Sequence, residues 1–215
     1  MEKGINPIFP LPIFIDQAEG SEYESIQKEL TTVKSKLKFN DRGSHMILND
    51  DPFRSHFLSQ YKCSHTLNLI NNSIKSYINS VTPNLKFVQS IYGEDTIQSQ
   101  WVIIESWMTK TIKGRCAREH SHGIADISGV YYFDTTGSDG NLIFVNTYKH
   151  LESNMLLNEL VNKDTVMPLE NGLIFLWPGQ LKHYTFMNKT DHERISVSFN
   201  ISLTRKGFGI PTSLN

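Results

Sequence analysis

Hydrophobic positions recur along the chain with two different periods. Ile26, Leu30, Val33 and Leu37 stand at steps of four, three and four, the stripe of an amphipathic helix, and Ser21-Glu-Tyr-Glu24 before them has the form of a capping box. That helix is expected to cover one face of a sheet. A second helical stretch runs from about Asp51 to Ser80, with Phe57, Leu58, Leu67, Ile70, Ile74 and Ile78 on helical spacing; a break near Cys63 divides it, and Thr82-Pro83 ends it. From Leu85 onward short runs of β-branched and aromatic residues alternate with turn signals. They predict strands over Lys86 to Tyr92, Gln100 to Trp107, Ile127 to Phe133, Asn141 to Val145, Gly172 to Leu176, His183 to Phe186 and Arg194 to Leu203. Gly137-Ser-Asp-Gly140 reads as a hairpin tip and Pro178-Gly179 as another turn.

Seven strands without helices for repeated crossovers disfavour a parallel α/β sheet and favour a double-sheet jelly roll or a barrel. The expected fold is mainly β with N-terminal helices (α+β), one domain over 1–215, helical to about residue 84 and a jelly-roll core over about 85–205. A chain of 215 residues with 39% hydrophobic content can bury a core without disulfide staples. The 21 Lys and Arg against 22 Asp and Glu give a net charge of -1, so neither nucleic acid nor an anionic membrane is expected as a partner. No run reaches the ~18 apolar residues of a membrane span, and the apolar stretch Ile8 to Ile15, broken by Pro10 and Pro12, lacks the flanks of a signal peptide. Two cysteines, Cys63 and Cys116, outside any C-x-x-C pair fit a reducing compartment, and the cytoplasm is the expected location.

Three of the eight histidines stand apart from the rest. In Glu119-His-Ser-His-Gly123 the two imidazoles are two residues apart, so on an extended segment His120 and His122 point to the same side, where both can meet one metal ion. His183 follows a strand and the Pro-Gly turn, and in a closed double sheet its strand can lie beside the first pair, completing a three-residue face with open positions. Arg194 opens an alternation in which Ile195, Val197, Phe199 and Ile201 take one face while Arg194, Ser196, Ser198, Asn200 and Ser202 take the other. With the apolar set turned away, Arg194 and Ser196 share a cavity with His183. A guanidinium fork with a hydroxyl two residues on is a receptor for a carboxylate.

The runs His120-Ser-His-Gly-Ile-Ala-Asp-Ile-Ser-Gly-Val-Tyr-Tyr-Phe133, Gly140-Asn-Leu-Ile-Phe144, Pro168 to Gly172 with Leu-Ile-Phe-Leu-Trp-Pro178, His183 and Glu193-Arg-Ile-Ser-Val-Ser-Phe-Asn200 resemble the 2-oxoglutarate- and Fe(II)-dependent oxygenases of bacteria and phages, within the prolyl-hydroxylase-like superfamily. Pro7-Ile-Phe-Pro-Leu-Pro-Ile-Phe14 is similar to the opening segment of that group. The resemblance implies a double-stranded β-helix, the jelly roll also seen in cupins, with Fe(II) at its mouth. It also implies an activity that couples oxidative decarboxylation of 2-oxoglutarate to oxidation of a substrate C–H bond, hydroxylation being the default. Residue by residue, His183 matches the distal iron ligand, and Arg194 with Ser196 matches the pair that holds the far carboxylate of 2-oxoglutarate. Tyr132 matches a tyrosine that assists them.

The departure lies at the proximal ligands, where the superfamily usually shows H-x-D or H-x-E and this chain reads H-x-H. His120 matches the first ligand, and two readings of the second compete: His122 binds iron, giving a three-histidine face, or Asp126, four residues on, supplies the carboxylate or steadies a histidine from behind. The i, i+2 spacing favours His122. Two other functions stay open: a three-histidine cupin-type dioxygenase, which would need neither Arg194 nor Ser196, and a metal- or carboxylate-binding barrel without turnover. The substrate, a small molecule or a peptide side chain, is not readable, and the helices could serve as a lid, a homodimer face or a docking ridge.

Overall fold

In the computed structural model the residues described are 11–41, 47–49, 56–92, 100–148 and 164–204. Their elements are, in order, β1 (Phe14–Gln17), α1 (Gly20–Lys34), β2 (Phe39–Asp41), β3 (Ile47–Asn49), α2 (Phe57–Gln60), α3 (Ser64–Tyr92), β4 (Gln100–Thr111), β5 (Ile127–Asp134), β6 (Leu142–Phe144), β7 (Thr165–Met167), β8 (Leu173–Pro178), β9 (His183–Thr185) and β10 (Arg194–Thr204). Seven strands form one antiparallel sheet in the order β1-β8-β5-β10-β4-β3-β2, and β7-β6-β9 form a second of three. Two antiparallel sheets facing each other across a packed interior make a jelly roll, the double-stranded β-helix, with helices against the outer face of the larger sheet.

The strands' near-continuous apolar runs arise because the large sheet is buried on both faces. On its outer side Tyr131, Ile174, Leu176, Val197 and Phe199 pack with Ile26, Leu30 and Val33 of α1, Phe57 and Leu58 of α2, and Ile70 and Ile74 of α3. On its inner side Val130, Tyr132, Phe175 and Trp177 pack with Leu142 and Phe144 of the small sheet. β10 breaks the run: its outward residues are apolar, while Arg194, Ser196 and Asn200 are buried polar residues facing inward, with Thr109 of β4 beside them in the pocket wall. That polar row is where a site can be built.

Four expectations from the sequence are corrected. The stretch Lys86 to Tyr92 is helix, because α3 runs through Thr82-Pro83 to Tyr92. In the sequence Val81, Leu85, Val88 and Tyr92 continue the helical spacing, and Pro83, without an N–H, leaves one backbone hydrogen bond of the helix unmade. The β core therefore starts at Gln100, not near residue 85, and three short strands, β1, β2 and β3, lie before it. The capping box does not form, since α1 starts at Gly20 with Glu19 at its cap position and no capping side chain, which places Ser21 inside the first turn. Gly137 to Gly140 joins β5 to β6, strands of different sheets, so it is a crossover turn and not a hairpin tip. The break near Cys63 is present between α2 and α3. Residues 51–55 of the expected second helix and the first four residues of the Pro7 to Phe14 segment lie outside the described residues. No described helix is long and apolar enough to cross a membrane.

Candidate metal centre

The loop after β4 and the start of β9 are tied to each other by backbone alone. His120 N–H donates to the His183 carbonyl at 3.0 Å and His183 N–H to the His120 carbonyl at 2.9 Å, an antiparallel bridge that puts the two side chains beside each other. His122 is held next to them by its N–H on the Gly179 carbonyl at 2.8 Å, in the Pro178-Gly179 turn. Gly179 is needed there, for a Cβ would lie 2.2 Å from the Ala125 carbonyl oxygen. As a result His120, His122 and His183 each offer a ligand nitrogen within 4.8 Å of one another, the one such cluster among the described residues.

The imidazoles are arranged as donors to a cation. His120 Nδ1 lies 2.7 Å from the Arg118 carbonyl oxygen and His183 Nδ1 2.9 Å from that of Leu181. A carbonyl only accepts, so both rings carry their proton on Nδ1 and leave Nε2 with a lone pair. Burial lowers the His183 pKa to about 3; the Leu181 hydrogen bond opposes this, and the other two histidines add to it. Burial, with His120 beside it, lowers His122 to about 4 against the pull of Glu105. Both rings are therefore neutral near pH 7, the form a metal needs. Trp177 packs edge-on to His183 at 4.8 Å between ring centroids, and Trp107 lies 5.9 Å from His122.

From the histidines the pocket runs down the polar row of β10 to Arg194. Arg194 is 3% exposed and makes no ion pair among the described residues. Its Nη1 donates to the carbonyls of Asp139, at 3.2 Å, and Gly140; Nη2 has longer contacts to Thr111 Oγ1 at 3.3 Å and Thr185 Oγ1 at 3.5 Å; Nε is buried without a partner. A buried cation with one edge unsatisfied is expensive unless an anion completes it. Ser196 and Tyr132, neighbours across β10 and β5, stand on the same wall, with the guanidinium carbon 6.0 Å from the centre of the Tyr132 ring. Burial raises the Tyr132 phenol to about 12, Arg194 pulling it the other way, so it remains a neutral donor. The indole N–H of Trp177, in the same wall, is likewise buried without an acceptor.

The structure thus brings His120, His122, His183, Arg194, Ser196 and Tyr132 to one pocket. Asp126 is outside the histidine cluster: its Oδ2 accepts the Leu203 N–H at 2.7 Å and the Ser202 hydroxyl at 3.4 Å, and no described hydrogen bond joins it to a histidine. Ser202, the last polar position of the β10 alternation, meets Asp126 and is not among the residues that line the pocket. Sequence reasoning missed Glu105, Thr111 and Thr185, which reach the site only through strand pairing and have no local motif.

A family model described as "Putative 2OG-Fe(II) oxygenase" matches residues 105–200. No curated protein matches the sequence. Among solved structures, the non-heme alpha-ketoglutarate-dependent epimerase SnoN from nogalamycin biosynthesis is similar with a TM-score of 0.59 at 12% identity, over 89% of this chain and 78% of that one. HygX from Streptomyces hygroscopicus, solved with nickel, 2-oxoglutarate and hygromycin B bound, gives 0.54 at 14% identity over 89% and 83%. A prolyl-4-hydroxylase from Pseudomonas putida gives 0.52 at 12% identity over 89% and 92%. At these identities the likeness to solved structures is one of fold, and it agrees with the jelly roll described above.

Proposed function

We propose, from the match of residues 105–200 to a family model of 2OG-Fe(II) oxygenases together with the site's geometry, that the chain is a 2-oxoglutarate- and Fe(II)-dependent dioxygenase that hydroxylates a C–H bond of its substrate. The observation that carries the reading is the buried Arg194 edge without a counter-anion, in the same pocket as three clustered imidazoles. A three-histidine dioxygenase working without 2-oxoglutarate has no use for that cation. His120, His122 and His183 would hold Fe(II), whose affinity for imidazole and oxygen donors suits this set. Arg194, through its free Nε edge, with the Ser196 and Tyr132 hydroxyls, would hold the far carboxylate of 2-oxoglutarate. HygX, with nickel and 2-oxoglutarate bound in a similar fold, supports this cosubstrate.

When bound, iron and 2-oxoglutarate supply the oxidising chemistry: dioxygen gives one oxygen atom to succinate, formed with loss of carbon dioxide, and one to the substrate. The chain's own part is to orient and to exclude water. Arg194 fixes the cosubstrate at one end, the carbonyls of Arg118 and Leu181 fix two imidazole planes, and Trp177 and Phe144 make the wall behind His183 apolar. The substrate is a small molecule or a peptide side chain. Two unpaired cysteines, Cys63 buried and Cys116 half-buried, support a cytoplasmic location.

The test is anaerobic addition of 2-oxoglutarate to the Fe(II)-loaded protein. A metal-to-ligand charge-transfer band that appears with 2-oxoglutarate and fades on admitting oxygen, with succinate formed, is the expected result. Fe(II) binding without that band refutes the cosubstrate assignment, and no Fe(II) binding refutes the site.

A further inference from the structure

Asn200 sits at the centre of a row that crosses three strands, with Glu105 of β4 as its register partner on one side and Ser128 of β5 on the other. The side chains close a hydrogen-bonded chain along it. Ser128 Oγ donates to Asn200 Oδ1 at 2.8 Å, Asn200 Nδ2 donates to Glu105 Oε2 at 2.8 Å, and the same nitrogen lies 3.2 Å from His122 Nδ1. Asn200 is 1% exposed, so no water competes for its amide. Its orientation is set by Glu105, since turning the amide over would press Oδ1 against a carboxylate that can only accept.

An amide nitrogen has no lone pair to offer, so the second N–H of Asn200 makes His122 Nδ1 an acceptor. This is the reverse of His120 and His183, whose Nδ1 atoms face carbonyl oxygens and must carry the proton. We propose that the Glu105–Asn200 arm gives His122 the tautomer opposite to its two neighbours, with the ring proton on Nε2, and so makes it the conditional ligand of the three. His120 and His183 present a bare Nε2 as folded. For His122 to bind a metal through Nε2 as they do, its proton must first move to Nδ1 and the amide must turn to receive it. Asn200 is in this sense a positioning residue for the metal face, and Glu105 acts through it. The consequence for metal binding rests on the function proposed above; the tautomer does not.

The measurement is the ¹⁵N spectrum of the imidazole nitrogens in the metal-free full chain at about pH 7.5, above the ordinary histidine range. Bare and protonated ring nitrogens resonate far apart, and single His→Gln variants assign the signals. The expected result is protonation on Nδ1 for His120 and His183 and on Nε2 for His122. A paired exchange of Glu105→Gln with Asn200→Asp then keeps the net charge and sets a carboxylate directly on His122 Nδ1. It is expected to move the ring proton to Nδ1 and to tighten Ni(II), the probe metal, about tenfold by calorimetry, within the range that supporting groups exert on metal ligands. His122 protonated on Nδ1 in the unaltered chain overturns the proposal, and so does an exchange that leaves tautomer and Ni(II) affinity unchanged. Should the tautomers be as stated while Ni(II) binding ignores all three histidines, the metal reading falls and the arm stands.

Discussion

Replacing Arg194 by lysine keeps the charge and removes the fork. Of the five N–H groups on the guanidinium, the two on Nη1 go to the carbonyls of Asp139 and Gly140, those on Nη2 to long contacts with Thr111 and Thr185, and the one on Nε to nothing. The Nε–Nη2 edge is therefore the part free to pair with a carboxylate through two parallel hydrogen bonds. A lysine ammonium is one nitrogen and cannot hold the two carbonyls and fork a carboxylate at once. Losing one charge-assisted hydrogen bond costs about 1.5 to 3 kcal/mol, so the Kd for 2-oxoglutarate should rise roughly ten- to a hundredfold. The carbonyls of Asp139 and Gly140 lose donors in a buried place, so Tm should fall as well. Calorimetric titration of 2-oxoglutarate into the Ni(II)-loaded Arg194→Lys protein, with a separate Ni(II) titration, reads both partners of the site. Ni(II) affinity should hold. A Tm that drops while 2-oxoglutarate affinity stays within about threefold would refute the reasoning and leave Arg194 a purely structural tie between the sheets.

Further outcomes follow from the same geometry. His183→Ala should lose tight Fe(II) in anaerobic reconstitution, whereas Asp126→Ala, which frees only the Leu203 N–H and Ser202 hydroxyl, should keep one equivalent; the opposite pattern would make Asp126 the ligand. The pKa values of about 3 for His183 and about 4 for His122 lie below the unfolded value near 6.5, so the unfolded chain takes up protons first. Stability of the metal-free chain should be full above about pH 6.5 and fall as pH drops toward 4, by at most about 1.4 kcal/mol per unit for each ring. Urea unfolding at several pH values checks this, and a wild-type curve parallel to that of His183→Gln contradicts it. Gly179→Ala, whose methyl group would meet the Ala125 and His122 carbonyl oxygens, should cost about 1 to 3 kcal/mol in chemical denaturation and loosen the His122 loop; equal stability would show that the turn yields freely.

The parts of the site that the sequence made legible are those encoded by local period. The i, i+2 spacing of His120 and His122 and the alternation from Arg194 to Asn200 each state which side chains share a face, and both faces occur in the folded chain. What stayed hidden depends on pairing between distant segments. Glu105 has no motif around it, and its place opposite Asn200 follows from the β4–β10 register. The strand expectation for Lys86 to Tyr92 fails because Leu85 to Tyr92 is rich in residues at home in strands, and the helical stripe from Val81 competes with a proline that usually ends a helix. Glu19 and Gly20 at the start of α1 likewise show a helix entered without the side-chain cap that Ser21 and Glu24 suggested.

Strand β10 serves as a partition between two environments, with Ile195, Val197, Phe199 and Ile201 sealed under the helices and Arg194, Ser196 and Asn200 turned to the pocket. A slip of a single residue in its pairing would exchange the sides completely: a guanidinium and an amide would be driven among the aliphatic side chains of α1 and α3, and the pocket would be stopped with phenylalanine and valine. The helices that never touch the candidate ligands therefore act as proof-readers of the site, rejecting every misaligned strand by the cost of burying its charge. Loosening their apolar grip, as with alanine at Ile70 and Ile74, would threaten the fidelity of the metal face before it altered any atom in it.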